Sequence, residues 1–220
     1  MEEASDIRLY LQPLRPIVEK LSGSSDFAEL FQVFPPLMHT LVLIWSHSKH
    51  YTTPQRITVV LQEICNDVIE QARVFIQPAE IFASEPEEAA DRIRLALKVC
   101  ESLRQSYQDC KRKTLEGPRP WNFDSKLVFG RLDIFLYRVN QILDLFDTIV
   151  EFNRLEKVEV GGTKGKILSS QVAQIFAEFT TAFSGFKQIK YDVLDLQNSE
   201  FEADMSKFQA KIEDLDRRIG

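Results

Sequence analysis

Residues 124–157 read DSKLVFGRLDIFLYRVNQILDLFDTIVEFNRLEK, and their spacing decides the fold. Leu132, Phe135, Leu136, Val139, Ile142, Leu143, Phe146, Ile149, Val150 and Leu155 recur at helical intervals. That period places them along one side of an α-helix, opened by Asp124 or Ser125 as the cap. At about 1.5 Å per residue such a helix spans on the order of 50 Å. A helix this long is stable only if its apolar side lies against other helices, which is the geometry of a bundle.

Working towards the N-terminus, the same period recurs. Gly117-Pro118-Arg119-Pro120 interrupts it and is the clearest internal boundary. Before it, Ile93, Leu97, Cys100, Leu103 and Tyr107 share one helix face, and Ser84 with Glu87 has the spacing of a capping box. Thr53-Pro54 opens an earlier helix that carries Ile57, Leu61, Ile64, Val68, Ala72 and Phe75, and Pro78 stops it. Pro35-Pro36 is expected to break a short helix over Phe27 to Val33 and to start the next, with Leu37, Leu41, Ile44 and Trp45. Pro13 and Pro16 are expected to kink or shorten the first helix, about Ser5 to Leu21. The apolar run Leu37 to Trp45 is too short to span a bilayer and reads as a core helix.

Towards the C-terminus, Lys157 to Val160 reads as briefly extended, leading into a turn at Gly161-Gly162-Thr163-Lys164-Gly165. The next helix carries Val172, Phe176, Phe179, Phe183 and Phe186. The last starts near Ser199 and shows Phe201, Met205, Phe208, Ile212, Leu215 and Ile219, the a/d repeat of a supercoiling helix. The fold expected is all-α: long antiparallel helices in two consecutive bundles forming an elongated rod. The bundles are residues 1–116 and 124–220, joined by a Pro-rich junction at 117–123, with the second continuing beyond the C-terminus.

Composition narrows function. The net charge of −6, with no cluster of Lys or Arg, argues against a nucleic-acid partner. The first ten residues, MEEASDIRLY, lack the basic and apolar regions of a signal peptide, and no membrane partner is expected. Cys65, Cys100 and Cys110 are an odd number of thiols inside helical patterns, which fits a reducing cytoplasm better than a disulfide framework. Cys65 and Cys100 fall on apolar faces and read as inert small hydrophobes.

No catalytic, cofactor or metal site is expected. Gly161 to Lys166 looks like a phosphate loop, but Ile167 stands where a hydroxyl is needed and Val160 where the first glycine is needed. It reads as a helix–helix turn. His47 and His50 could share a face but lack further ligands, and His39, between apolar neighbours, reads as a core residue. No His follows a Glu by three residues, which excludes the pairing of a bundle-core carboxylate metal site. Trp121 and Phe123 stand outside a helix and read as a plug at the junction between bundles. The competing reading makes them partner-binding anchors, since Trp is enriched at interface hot spots.

Several runs together resemble a known family: Thr40 to Tyr51 (TLVLIWSHSKHY), Thr53-Pro-Gln-Arg56, Leu61 to Asn66, and Glu70-Gln-Ala72. So do Pro118 to Phe123 (PRPWNF), Val128 to Phe135, Leu155-Glu156, Gly161 to Gly165, Tyr191-Asp192 and the ending from Phe208. In order and spacing they are similar to the N-terminal tail region of dynein heavy chains, of axonemal, outer-arm-like type. The resemblance covers nearly the whole chain. It implies a helical tail segment of a very large ATP-driven microtubule motor whose ATPase ring lies far downstream. It implies other dynein heavy chains, intermediate chains and docking proteins as partners, and location in the cytoplasm, in the axoneme of a cilium or flagellum. A generic helical adaptor or tethering rod unrelated to dynein shares the same fold and is the alternative.

Overall fold

In a computed structural model of the chain, residues 2–48, 52–155 and 161–219 are described. Among them are seven α-helices: α1 (Glu2–Gly23), α2 (Leu30–His47), α3 (Pro54–Ile76), α4 (Pro86–Thr114), α5 (Ser125–Leu155), α6 (Gly162–Ser184) and α7 (Glu200–Ile219). Short 3₁₀ turns lie at Phe27–Glu29, Ile81–Ala83 and Phe186–Gln188, and the described residues contain no strand. The all-α expectation therefore holds. The reading of Lys157 to Val160 as extended falls outside the described residues.

The helix starts have identifiable causes. Asp124 caps α5, its Oδ1 accepting from the amides of Lys126 (2.9 Å) and Leu127 (3.4 Å). Asp26 does the same for Ala28 before α2. Thr53 accepts from the Arg56 amide at the start of α3. Gln77, at φ 57°, takes the left-handed conformation just after α3, and Pro78 follows. At Ser84 the hydroxyl instead donates to the Glu80 carbonyl (3.4 Å), and α4 begins at Pro86.

Three expectations from punctuation residues are corrected. Pro13 and Pro16 do not shorten the first helix, since α1 runs from Glu2 to Gly23 with both inside it, and Pro35 and Pro36 lie inside α2 instead of separating two helices. A helical proline orphans the carbonyl four residues earlier. Here those carbonyls belong to Leu9, Gln12, Phe31 and Gln32, all on exposed residues where water can serve them. Gly162 to Lys166, expected as a turn, forms the first turns of α6, with Gly162 at φ 84°.

By contacts the chain divides into two units that interleave along the sequence. The first comprises residues up to Phe75 together with Arg94–Tyr137; the second comprises Ile76–Ile93 and the chain from Arg138 onward. The boundary expected at 117–123 is not where the contacts divide, because that segment packs within the first unit. Helices α4 and α5 each supply residues to both units. A helix whose apolar series runs on without a break carries no mark of which neighbours each of its turns meets, so the Gly-Pro-Arg-Pro segment alone suggested the break.

In the first unit α1 packs on α2. Leu21, Leu30, Phe34, Leu37, Met38, Leu61, Val68, Leu103, Phe129 and Leu132 form much of its core. From Phe27, the α2 region is 21 residues long and apolar enough to cross a membrane by length and composition. This is longer than the run from Leu37 to Trp45, yet its Leu30, Phe34, Leu37, Met38, Leu41, Ile44 and Trp45 are buried within the chain. His39 is exposed, a correction to its reading as a core residue: the turn of the helix sets it opposite its buried neighbours. In the second unit α6 packs on α7, where Phe179 meets Phe208 edge-on at 6.0 Å, and further phenylalanine pairs tie in the neighbouring elements. Phe152 stacks on Phe179 at 4.3 Å, Phe186 meets Phe208 edge-on at 5.4 Å, and Phe82 stacks on Phe146 at 5.4 Å.

Candidate functional site

Trp121 and Phe123 come first, as the residues singled out by sequence. Trp121 is 0% exposed and Phe123 is buried beside it, both inside the first unit. Phe123 meets Trp121 edge-on at 4.9 Å and Trp45 at 5.1 Å, and Tyr107 lies 5.9 Å from Trp121. The Tyr107 hydroxyl accepts from the Phe123 amide (3.0 Å), and the Thr114 hydroxyl accepts from the Trp121 amide (2.9 Å). The strap from Pro118 to Phe123 is thus pinned by α4 along its backbone and by aromatic packing on its side chains. The plugging role belongs to the interior of one unit. As anchors for a partner the two side chains lack exposed surface.

Arg119, between the two prolines, closes this arrangement. Its guanidinium stacks over Trp45 at 3.5 Å. It donates to the carbonyls of Trp45 (2.5 Å), Ser48 (2.7 Å) and Thr52 (2.8 Å), at and beyond the C-terminus of α2. Trp45 Nε1 in turn donates to the Pro120 carbonyl at 3.3 Å. A cation at a helix C-terminus meets the negative end of the helix dipole and carbonyls that have no helical donor. Desolvation lowers the Arg119 pKa from its ordinary value.

Arg138 plays the matching part in the second unit. It is 3% exposed, lies over Phe201 at 4.7 Å, and donates to the carbonyls of Val193 (2.8 Å), Asp195 (3.3 Å) and Asn198 (3.3 Å). It is also ion-paired with Glu202. It therefore ties α5 to the irregular segment that leads into α7. Sequence reasoning missed both arginines. The available signal at Arg138 was a charge sitting within the apolar run between Phe135 and Val139.

A second electrostatic knot joins α6 to α7. Glu178 accepts from Arg218 at two positions (both 2.8 Å) and from Lys211 (2.6 Å). The Arg218 hydrogen bonds, then that of Lys211, pull the Glu178 carboxyl down to about 2. Tyr191 donates to Asp204 at 2.7 Å; burial first, then Asp204, pushes its phenol well up.

The remaining candidates carry no reactive geometry. Cys65 and Cys100 are buried free thiols, and burial pushes each up to about 12, so both stay protonated. Among the described residues no group of three or more His, Cys, Asp or Glu is placed to hold a metal. His47 is exposed at the end of α2, and His50 lies outside the described residues. A pocket of about 250 Å³ in the second unit is lined by Ala182, Phe186, Ile189, Asp204, Lys207 and Phe208. Further pockets of about 510, 370 and 500 Å³ lie elsewhere among the described residues.

Residues 1–220 match the family model for the dynein heavy chain, N-terminal region 1. The chain is 40% identical over 220 residues to the dynein beta chain, flagellar outer arm, of Chlamydomonas reinhardtii. It is 43% identical over 226 residues to the dynein beta chain, ciliary, of Tripneustes gratilla. With dynein axonemal heavy chain 11 of Sus scrofa it shares 38% over 226 residues. These alignments cover 99% to 100% of this chain and 5% of each relative, so the chain spans a small part of the relatives it matches.

Proposed function

The chain belongs to the N-terminal region 1 family of dynein heavy chains, and from that premise we propose that it is a non-catalytic tail module of an axonemal dynein. In this reading it assembles with other heavy chains, intermediate chains and docking proteins. It thereby helps to anchor the motor in the axoneme of a cilium or flagellum. The motor's ATP-driven activity resides outside these residues.

The family match along the whole chain carries the proposal. The names of the relatives, flagellar outer arm and ciliary, supply the axonemal location. The interior agrees with a mechanical role. Helices are held by apolar and aromatic packing, and the half-buried Arg119 and buried Arg138 secure the irregular connections, which stiffens a body that has to transmit load. Glu178 and Tyr191, whose pKa values are displaced, are held in ion-pair and hydrogen-bond knots between chain segments of the second unit.

The test is a pull-down from detergent-extracted axonemes with the purified chain, read by mass spectrometry. Retention of dynein heavy chains, intermediate chains or docking proteins is expected. A folded chain that retains none of them would overturn the assembly role and favour a spacer.

A further inference from the structure

Helix α5 buries one side in the first unit and leaves the other uncovered. Leu127, Ile134 and Tyr137 are 60%, 57% and 66% exposed. With Gly130 they stand at i, i+7, i+10 and i+3, which puts all four on one helix face. A Cβ added to Gly130 would meet nothing within 4 Å, so the middle of this apolar stripe is an open notch.

Helix α3 lies alongside. The Gln62 side chain donates to the Leu127 carbonyl (2.8 Å), and Arg131 donates to Asn66 (3.0 Å). Contacts at 62 with 127 and at 66 with 131 mean that the two helices run parallel. On the exposed face of α3, Glu63, Asp67 and Glu70 follow at four- and three-residue steps, bracketed by the exposed Val59, Val60 and Val74. One uncovered surface of the first unit thus carries an apolar stripe on α5 and, parallel to it, an acidic stripe on α3.

We infer that this surface docks an amphipathic helix of a partner protein, with an apolar stripe over α5 and Lys or Arg along the edge that meets α3. A helix laid along α5 presents its side chains at the same three- and four-residue step as Leu127, Gly130, Ile134 and Tyr137, so its apolar knobs can register with them. An apolar knob of the partner enters the notch at Gly130. The carboxylates of Glu63 and Asp67, beside a Glu70 that is shared with Arg73 (3.8 Å), select a basic edge and disfavour an anionic bilayer. Antiparallel pairing with a second copy through the α5 stripe would set Arg131 near its own equivalent, which disfavours self-association. The stripe from 127 to 137 is about 15 Å long, below what a standard stable interface needs, so docking here is one contribution to a larger assembly. The inference rests on the assembly reading above and names its surface and the chemistry of its partner.

The test uses the 220-residue chain and two synthetic helices of about three heptads with Leu at a and d, one with Lys and one with Glu along its flanks. Calorimetric titration is expected to give saturable binding of the Lys helix and none of the Glu helix. Ile134→Asp should weaken the Lys helix by about tenfold or more, while circular dichroism confirms an unchanged fold. The double variant Glu63→Lys, Asp67→Lys should reverse the preference. Equal binding of the Lys helix by all variants, or none by the native chain, overturns the inference. Concentration-dependent dimerisation abolished by Ile134→Asp would also overturn it, in favour of a second copy. If the inference fails while the axonemal pull-down succeeds, the assembly reading stands and only its surface is wrong.

Discussion

Arg119 and Arg138 solve one problem in two ways. Each sits against an aromatic ring and gathers backbone carbonyls from an irregular segment. In the first unit Arg119 is half-buried on a loop and has only uncharged acceptors. In the second, Arg138 is fully interior on a helix and has carbonyls together with the Glu202 carboxylate. The difference follows solvent access. A half-exposed guanidinium keeps part of its hydration and can be satisfied by carbonyls alone, whereas a buried one needs a counter-charge. Glu202 remains 48% exposed, so the pair sits at the edge of the core with its negative end partly solvated.

The comparison can be broken first at its aromatic side. Trp121→Ala removes the fully buried ring that Phe123 and Tyr107 pack on, and should cost about 4 kcal/mol in chemical denaturation. Trp45 remains as a fluorescent reporter in the first unit.

Arg138→Met should come next, at about 3 kcal/mol, because it orphans carbonyls at Val193, Asp195 and Asn198. Both tryptophans, Trp45 and Trp121, lie in the first unit, so their fluorescence reads that unit alone. The Arg138 variant should therefore lose helicity by circular dichroism before its tryptophan emission shifts.

Arg119→Lys keeps the charge but cannot span three carbonyls or stack as a plane, and should cost about 1–2 kcal/mol. A loss equal to that of Arg138→Met would erase the distinction between the two arrangements. Gly130→Ala should instead stabilise the chain by up to about 1 kcal/mol, since the position is helical and open.

The smallest effect is one of pH. Glu178 is held below its ordinary value by Arg218 and Lys211. A lowered folded pKa contributes stability above the unfolded value of 4.5, and that contribution is lost as pH falls towards about 2. Glu178→Gln should flatten the melting temperature across that window, lowering it slightly at neutral pH and leaving it little changed near pH 2.

Most of the helices were legible because apolar side chains at three- and four-residue intervals leave few alternatives to a packed helix. The starts of α3, α5 and α7 were legible for a further local reason: Thr53, Asp124 and Ser199 stand just before them. Proline was misleading at 13, 16, 35 and 36, because its cost depends on whether the orphaned carbonyl meets water, and that is a property of the packed molecule. Leu127, Ile134 and Tyr137 stand outside the apolar series read for α5, but so do the buried Phe129, Leu145 and Phe152, so the sequence did not single out the uncovered stripe. A helix sequence does not say how many of its faces are covered.

Sequence by itself determined that this chain is all-helical and, through motifs such as IWSHSKHY and PRPWNF, which family it belongs to. Periodicity and motif order are properties of neighbours along the chain, and they survive without a structure. Tertiary structure decided that α4 and α5 serve two interleaved units, that Trp121 faces inward, and which charges are buried. Those outcomes depend on contacts between residues tens of positions apart, such as Arg119 with Trp45 and Arg138 with Val193, where local spacing carries no information.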